Sequence, residues 1–264
     1  MLAFYADDSA DAKREILFVV AGLVADTSVW FEVERLWNKR LDRDGLEYFR
    51  ASDCNSLTGE FYKLVKAHGP NRAREMANDL LADLKEIIKA RELYAFIFMG
   101  PMAVYRRARA KDFGKNCLHD DPYIQAHEQI VFEVAKSAGK GKAKSPIAFV
   151  FDEHCKAKQL LAGWADLKRR LPATSQWIGS ATVLDDKQCA QLQVADLIAN
   201  IAKRACEKVI AADYDHSYMF ELEEWRDRAH LGYWDDIYLE ALIHTTVDFH
   251  TSPVPIPTRS IDEL

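Results

Sequence analysis

The chain has no two cysteines at C-x-x-C spacing. Its five cysteines, Cys54, Cys117, Cys155, Cys189 and Cys206, are odd in number and scattered over 264 residues. That pattern argues against a disulfide framework and against a structural zinc site, and makes the reducing cytosol the expected setting. No apolar run approaches the roughly 20 residues that cross a bilayer, so no membrane association is expected. The first residues lack a basic region followed by an apolar stretch and a small-residue cleavage site, so the expectation is a soluble, cytoplasmic protein. The patterns G-x-S-x-G, G-x-x-x-x-G-K-[ST] and G-x-G-x-x-G are missing, which removes serine-hydrolase, P-loop and dinucleotide readings. Positive charge is in deficit, with 35 Lys and Arg against 41 Asp and Glu and a formal net charge of −6. The chain as a whole therefore carries no signature of a nucleic-acid binder. A polyanion would have to be held by local basic patches or by bound divalent cations.

Apolar residues make up 49% and charged residues 29% of the chain. Such a sequence can build a sizeable core as one domain, or one domain with an elaboration. Residues 2–7 and 15–25 read as two strands joined by the polar stretch DSADAKR, a hairpin signal. Asp26 or Thr27 then caps an amphipathic helix to about Leu41, with Trp30, Val33, Leu36 and Trp37 on its buried stripe. LEYF reads as a short strand carrying Glu47 inward. A helix follows over 71–91, then the strand LYAFIFM, ended by Gly100-Pro101. Asp120-Asp121-Pro122 opens the next helix, since proline is tolerated in a first turn. After the GKGKAKSP loop come the strand IAFVFD, a helix near 156–171, a strand near 176–183 and a long helix near 188–211. Residues 213–246 look helical but interrupted, and the stretch from Thr251 is proline-rich. No internal repeat is seen. This order of elements predicts an α/β fold with a mixed sheet.

Four acidic residues invite chemistry. Asp7 and Asp152 each end an apolar strand, the edge at which α/β sheets commonly meet ligands. Each has a plainer reading, as a turn aspartate and as a helix N-cap respectively. Asp196 lies on a helix with Gln193, Asn200 and Lys203 along one stripe, surrounded by apolar residues. A solvated face would carry far more Lys and Glu. Burying an unpaired carboxylate costs several kcal/mol on an order-of-magnitude estimate, so Asp196 calls for a partner or a cation. Glu47, after a turn, reads on spacing alone as solvated. Asp185-Asp186 and Asp235-Asp236 read as loop or cap residues. His119, His127 and His154 are possible ligands or bases with ordinary structural readings. Arg106, Arg107, Arg109 and Lys111, the lysines at 140, 142 and 144, and Lys168-Arg169-Arg170 are the basic stretches that could meet a phosphate backbone. An aspartyl-phosphatase reading would need a second aspartate two residues after Asp7, where Ser9 stands.

The segments FYADDSAD, EYFRASD, HDDPYIQAHEQ, FVFDEH and LQVADLIAN together resemble the domain-of-unknown-function 3800 family, over residues 4–200. That family resembles the ribonuclease H-like superfold, a mixed β-sheet flanked by helices. The Gln-x-Ala-Asp-Leu element is complete as Gln193 to Leu197. Asp7, Asp8, Ser9 and Ala10 stand where Asp-Glu-Ser-Gly is usual, so the turn after the first strand is expected to differ. The resemblance implies a ribonuclease H-like domain over 1–212 with a helical insertion near 50–140. Residues 213–264 would then be a helical C-terminal extension of the same domain. It implies two Mg2+ or Mn2+ ions held by Asp7, Asp152, Asp196 and Glu47, with Glu153 as a substitute for Glu47. Ser9, Gln193, Asn200, Lys203, Arg106 and Arg107 would lie towards a nucleic-acid substrate, DNA or RNA. The implied activity is metal-dependent phosphodiester hydrolysis, in a phage-defence or mobile-element context with a possible protein partner. The alternative is an inactive relative kept as a binding or scaffold module. The sequence leaves the oligomeric state open.

Overall fold

The computed structural model describes residues 1–10, 13–111, 114–141, 143–153, 156–212, 228–236 and 238–239. Leu2–Ala10 (β1) and Leu17–Asp26 (β2) pair antiparallel along their whole lengths, Leu2 opposite Asp26 and Ala10 opposite Phe18. β2 is buried along almost its full length, as expected of a central strand covered on both faces. Gly22 is required within it. A Cβ there would stand 2.2 Å from the Phe4 ring and 2.7 Å from the Tyr5 carbonyl oxygen.

Asp26 caps the first helix, α1 (Thr27–Arg43), by accepting from the Ser28 N–H. Ala51–Ser56 (α2), Tyr62–His68 (α3) and Pro70–Lys89 (α4) follow before Tyr94–Pro101 (β3) returns to the sheet antiparallel to β2. Beyond β3 come Met102–Ala110 (α5), Gly114–Cys117 (α6) and Pro122–Lys140 (α7). Asp121 caps α7 and Pro122 occupies its first turn, as the Asp-Asp-Pro stretch predicts. Ile147–Asp152 (β4) pairs parallel with β1. Ala157–Ala162 (α8) and Trp164–Arg170 (α9) break at Gly163 what the sequence suggests is one helix. Ile178–Leu184 (β5) lies parallel to β4, and Ala190–Ala211 forms the long helix α10. Ala229–Tyr233 (β6) adds to β3 in parallel.

The result is an α/β fold whose six-stranded mixed sheet runs β5-β4-β1-β2-β3-β6 with helices on both faces. Alternate residues of each strand feed two cores. Ala3, Val19, Ala21 and Leu23 meet α1, α4 and α10 on one face. Phe4, Ala6, Phe18, Val20, Phe149 and Phe151 meet α5, α7 and α8 on the other. No helix among the described residues is long and apolar enough to cross a membrane.

Three expectations are corrected. LEYF is not a strand: the Glu47 N–H donates to Glu60 and the Phe49 N–H to Gln193. Side chains thus take the donors that a neighbouring strand would have used. The expected insertion near 50–140 contains β3, an integral sheet strand, so its helices form two groups, one on each side of β3. Residues 229–233, expected as helix, form the edge strand β6. Residues 213–227 and the proline-rich stretch from Thr251 lie outside the described residues.

Candidate functional site

Register sets the first two carboxylates side by side. β1 and β4 run parallel with Ala6 opposite Phe151, so Asp7 and Asp152 are the next residues along each strand. Ala6 and Phe151 point into the α7-side core. Strand alternation then turns Asp7 and Asp152 to the opposite face, where α10 packs against β1 and β2. Both are buried, at 8% and 3% of full exposure. Asp196, from the second turn of α10, approaches the same place. Its Oδ2 accepts the Ala51 N–H at 2.6 Å.

A fourth carboxylate joins them. Asp186 is buried, donates its backbone N–H to Asp152 Oδ1 at 3.3 Å and is gripped by Arg50. On sequence alone Asp186 reads as a loop or cap residue. The signal available was its place two residues after β5, the strand that flanks β4, which puts it at the same sheet edge as Asp152.

The electrostatics reflect this crowding. Burial is the main cause holding Asp7 well above the usual carboxylate range; repulsion from Asp196, Asp8 and Asp152 adds to it, and the Asp8 N–H at 2.7 Å opposes it. Asp196 is pushed up to about 7, first by burial and then by Asp186 and Asp152, against the Ala51 N–H and Arg50. Asp186 is raised by burial, with Arg50 pulling the other way.

Glu47 does not join this group. Its side chain is 80% exposed and pairs with Lys63 at 2.9 Å, because its segment is anchored by backbone bonds that leave the carboxylate outward. Glu153 pairs with Lys158 at 2.9 Å. Gln193 is wholly engaged within the protein: Oε1 accepts from Trp37 Nε1 and Phe49 N, and Nε2 donates to the Asp186 carbonyl. Asn200 accepts from Asn55, and Lys203 pairs with Glu207 along α10. Ser9 lies two residues beyond Asp7 on β1, partly buried. Arg107 pairs with Asp236, while Arg106 belongs to a cleft on the opposite face of the sheet. Of the three histidines, His127 is wholly buried with Nδ1 on the Tyr123 carbonyl, and His119 Nδ1 accepts from Asp121 N. His154 lies outside the described residues, as does Lys142.

The donor set is all oxygen and carries excess negative charge, the chemistry a hard divalent cation prefers. Among the described residues, no three His, Cys, Asp or Glu side chains stand in positions that would together hold one ion. No protein-family model matches this chain, and no curated protein matches it in sequence.

Proposed function

We propose that the protein is a divalent-metal-dependent phosphodiesterase of ribonuclease H-like architecture, acting on a polynucleotide and related to the domain-of-unknown-function 3800 family. One observation carries the reading. Asp7, which lies three residues before the end of β1 and not at the strand end the sequence suggests, stands on the same sheet face as Asp152 at the end of the adjacent parallel β4, and Asp196 on the helix packed there adds its charge. The raised proton affinities of Asp7 and Asp196 come first from burial and then from the repulsion of the neighbouring carboxylates. Such groups cluster at functional sites.

Asp7, Asp152 and Asp196 do not stand in positions to hold one ion together; on this reading they would hold Mg2+ or Mn2+ once drawn together around it. Bound there, the ions would supply charge neutralisation for an approaching phosphodiester and activation of water. Arg50 neutralises Asp186, so Asp186 serves to place Asp152 through its backbone N–H rather than to add another free charge. Gln193 fixes the Asp186 carbonyl against Trp37 and Phe49 and holds that edge in place. Burial of Asp7 and Asp152 keeps water scarce around them, where electrostatic effects are strongest.

Incubation with plasmid, single-stranded DNA and RNA in Mn2+ tests the reading. Cleavage that is lost in Asp7→Ala and in Asp196→Ala supports it. Failure to cleave all three substrates leaves the fold to a binding or scaffold role.

A further inference from the structure

On the sheet face opposite the carboxylates, the same edge opens into a cleft of about 720 Å3. It lies among α5, α6 and the start of α7, with Arg14 ahead of β2 and Lys156 ahead of α8. Five cationic side chains line it: Arg14, Arg106, Arg109, Lys115 and Lys156. Two acidic side chains, Asp120 and Asp121, also line it, so five minus two leaves an excess of three positive charges. The whole chain carries −6, so this wall runs against the overall field.

Three of the five cations already have carboxylate partners. Arg14 pairs with Asp8 at 3.0 Å, Lys156 with Asp121 at 3.3 Å, and Arg109 with Asp120. Arg106 and Lys115 are exposed and have no ion-pair partner among the described residues. Their charges are therefore available to an incoming anion.

Arg14 is held in advance. Its backbone takes the left-handed region at φ 55°, a conformation that non-glycine residues adopt at a cost and that gathers at working sites. Its guanidinium lies 5.0 Å from the centre of the Tyr123 ring while it pairs with the buried Asp8 carboxylate. A guanidinium fixed this way loses little freedom on meeting a ligand, and its planar fork matches phosphate oxygens. Asp8 adjoins Asp7 on β1 and points to the other face, so one strand carries both a member of the acidic cluster and the anchor of the basic cleft.

The geometry points to this cleft as a phosphate-binding site, with Arg14, Arg106 and Lys115 as its ligands. It takes a phosphate of the polynucleotide on which the proposed activity acts. The identity of that polymer rests on the proposed function; the capture of phosphate does not.

Binding of a fluorescent single-stranded oligonucleotide is measured by anisotropy in EDTA, across a salt series, with inorganic phosphate as competitor. The variant is Arg106→Glu/Lys115→Glu, two exposed positions. Lys39→Glu/Lys66→Glu, on α1 and α3, makes the same change of charge elsewhere. The expected result is at least tenfold weaker binding for the first variant. Its slope of log affinity on log salt should be shallower by about 1.4, two contacts at roughly 0.7 each for a single strand. The control variant should stay near wild type. Competition by millimolar inorganic phosphate would assign the cleft to a free or terminal phosphate, and no competition to a backbone phosphate; both are phosphate capture. Equal weakening in the two variants, unchanged binding in the cleft variant, or no wild-type binding of either ligand would overturn the site. Hydrolysis is scored separately in Mn2+. Charge-dependent binding without cleavage would sink the proposed activity and leave the cleft standing. Cleavage with an unaltered KM in the cleft variant would do the reverse.

Discussion

Arg50 grips Asp186 from two nitrogens: Nη2 stands 2.8 and 2.9 Å from the two carboxylate oxygens, and Nε 3.1 Å from Oδ2. The next residue, Ala51, gives its N–H to Asp196. The start of α2 and the residue before it therefore neutralise one buried carboxylate and hydrogen-bond another, tying the segment between β2 and β3 to the carboxylate cluster.

Removing the guanidinium should expose what it compensates. Arg50→Gln leaves Asp186 buried without a counter-charge, and breaking a buried pair from one side costs about 3–5 kcal/mol. Arg50 is 28% exposed, so water shares the interaction and about 1–3 kcal/mol is expected. Adding Asp186→Asn should recover part of the loss, because a neutral amide needs no cation. Urea denaturation of the four proteins in the cycle measures this. Strict additivity of the two changes would show that the pair is not coupled.

A cluster that binds ions selectively must be stabilised by them. Mn2+ or Mg2+ in excess should raise the melting temperature, since a ligand at a hundred times its Kd contributes about 2.7 kcal/mol to the folded state. Asp7→Asn and Asp196→Asn should each melt as high as wild type or higher without the ion, because each removes one repelling charge. Both should lose most of the ion-dependent rise. Ca2+ and K+ serve as comparison ions in the same melting assay. A wild-type melting temperature indifferent to Mn2+ would remove the chemical basis of the proposed hydrolysis.

His127 gives a pH dependence whose sign can be worked out. Burial lowers its folded pKa to about 4 from the ordinary 6.5, against the opposing effects of the Tyr123 carbonyl and Asp121. Between those values the unfolded chain binds the extra proton and the folded chain does not. Its contribution therefore makes stability rise with pH across that window, and fall as acid is added from about 6.5 to about 4. The full span corresponds to about 3 kcal/mol, at about 1.4 per unit. His127→Asn retains a donor for the Tyr123 carbonyl and cannot titrate. Denaturation at pH 7, 5.5 and 4.5 should give wild type a steeper slope than the variant by up to one proton. Parallel slopes would mean that His127 titrates alike in the folded and unfolded chains.

LAFYAD and IAFVFD were legible as strands because both are near-continuous apolar runs. Their pairing in parallel, which sets Asp7 beside Asp152, follows from topology that no local pattern encodes. Asp196 stood out because a carboxylate amid Leu192, Val194, Leu197 and Ile198 violates the ordinary helix pattern. Glu47 and Asp186 exchanged roles for one reason. Their local sequences are both polar and turn-like, and only long-range contacts distinguish them: Lys63 holds the first outward, and Arg50 the second inward. The basic cleft was half visible. Arg106 and Arg109 stand in one basic run, but Arg14, Lys115 and Lys156 come from three other segments that meet only in the folded chain.

Gln193 was read as a residue facing substrate, and its bonds assign it another task. Its carboxamide joins α1 through Trp37, the Glu47 segment through Phe49, and the turn before α10 through the Asp186 carbonyl, at 2.9, 3.0 and 2.9 Å. Gln193→Leu fills a similar volume and leaves two buried donors and one acceptor without this partner. An orphaned buried polar group costs about 1–3 kcal/mol. Because the three share one side chain and can relax together, about 2–4 kcal/mol is expected in all. Asn200→Ala, which removes a single bond to Asn55 at a part-buried position, should cost about 1 kcal/mol or less. Chemical denaturation of both variants orders them. Were Gln193 chiefly a substrate contact, its loss would weaken oligonucleotide binding and leave stability near wild type. The bonding pattern demands the opposite order of effects.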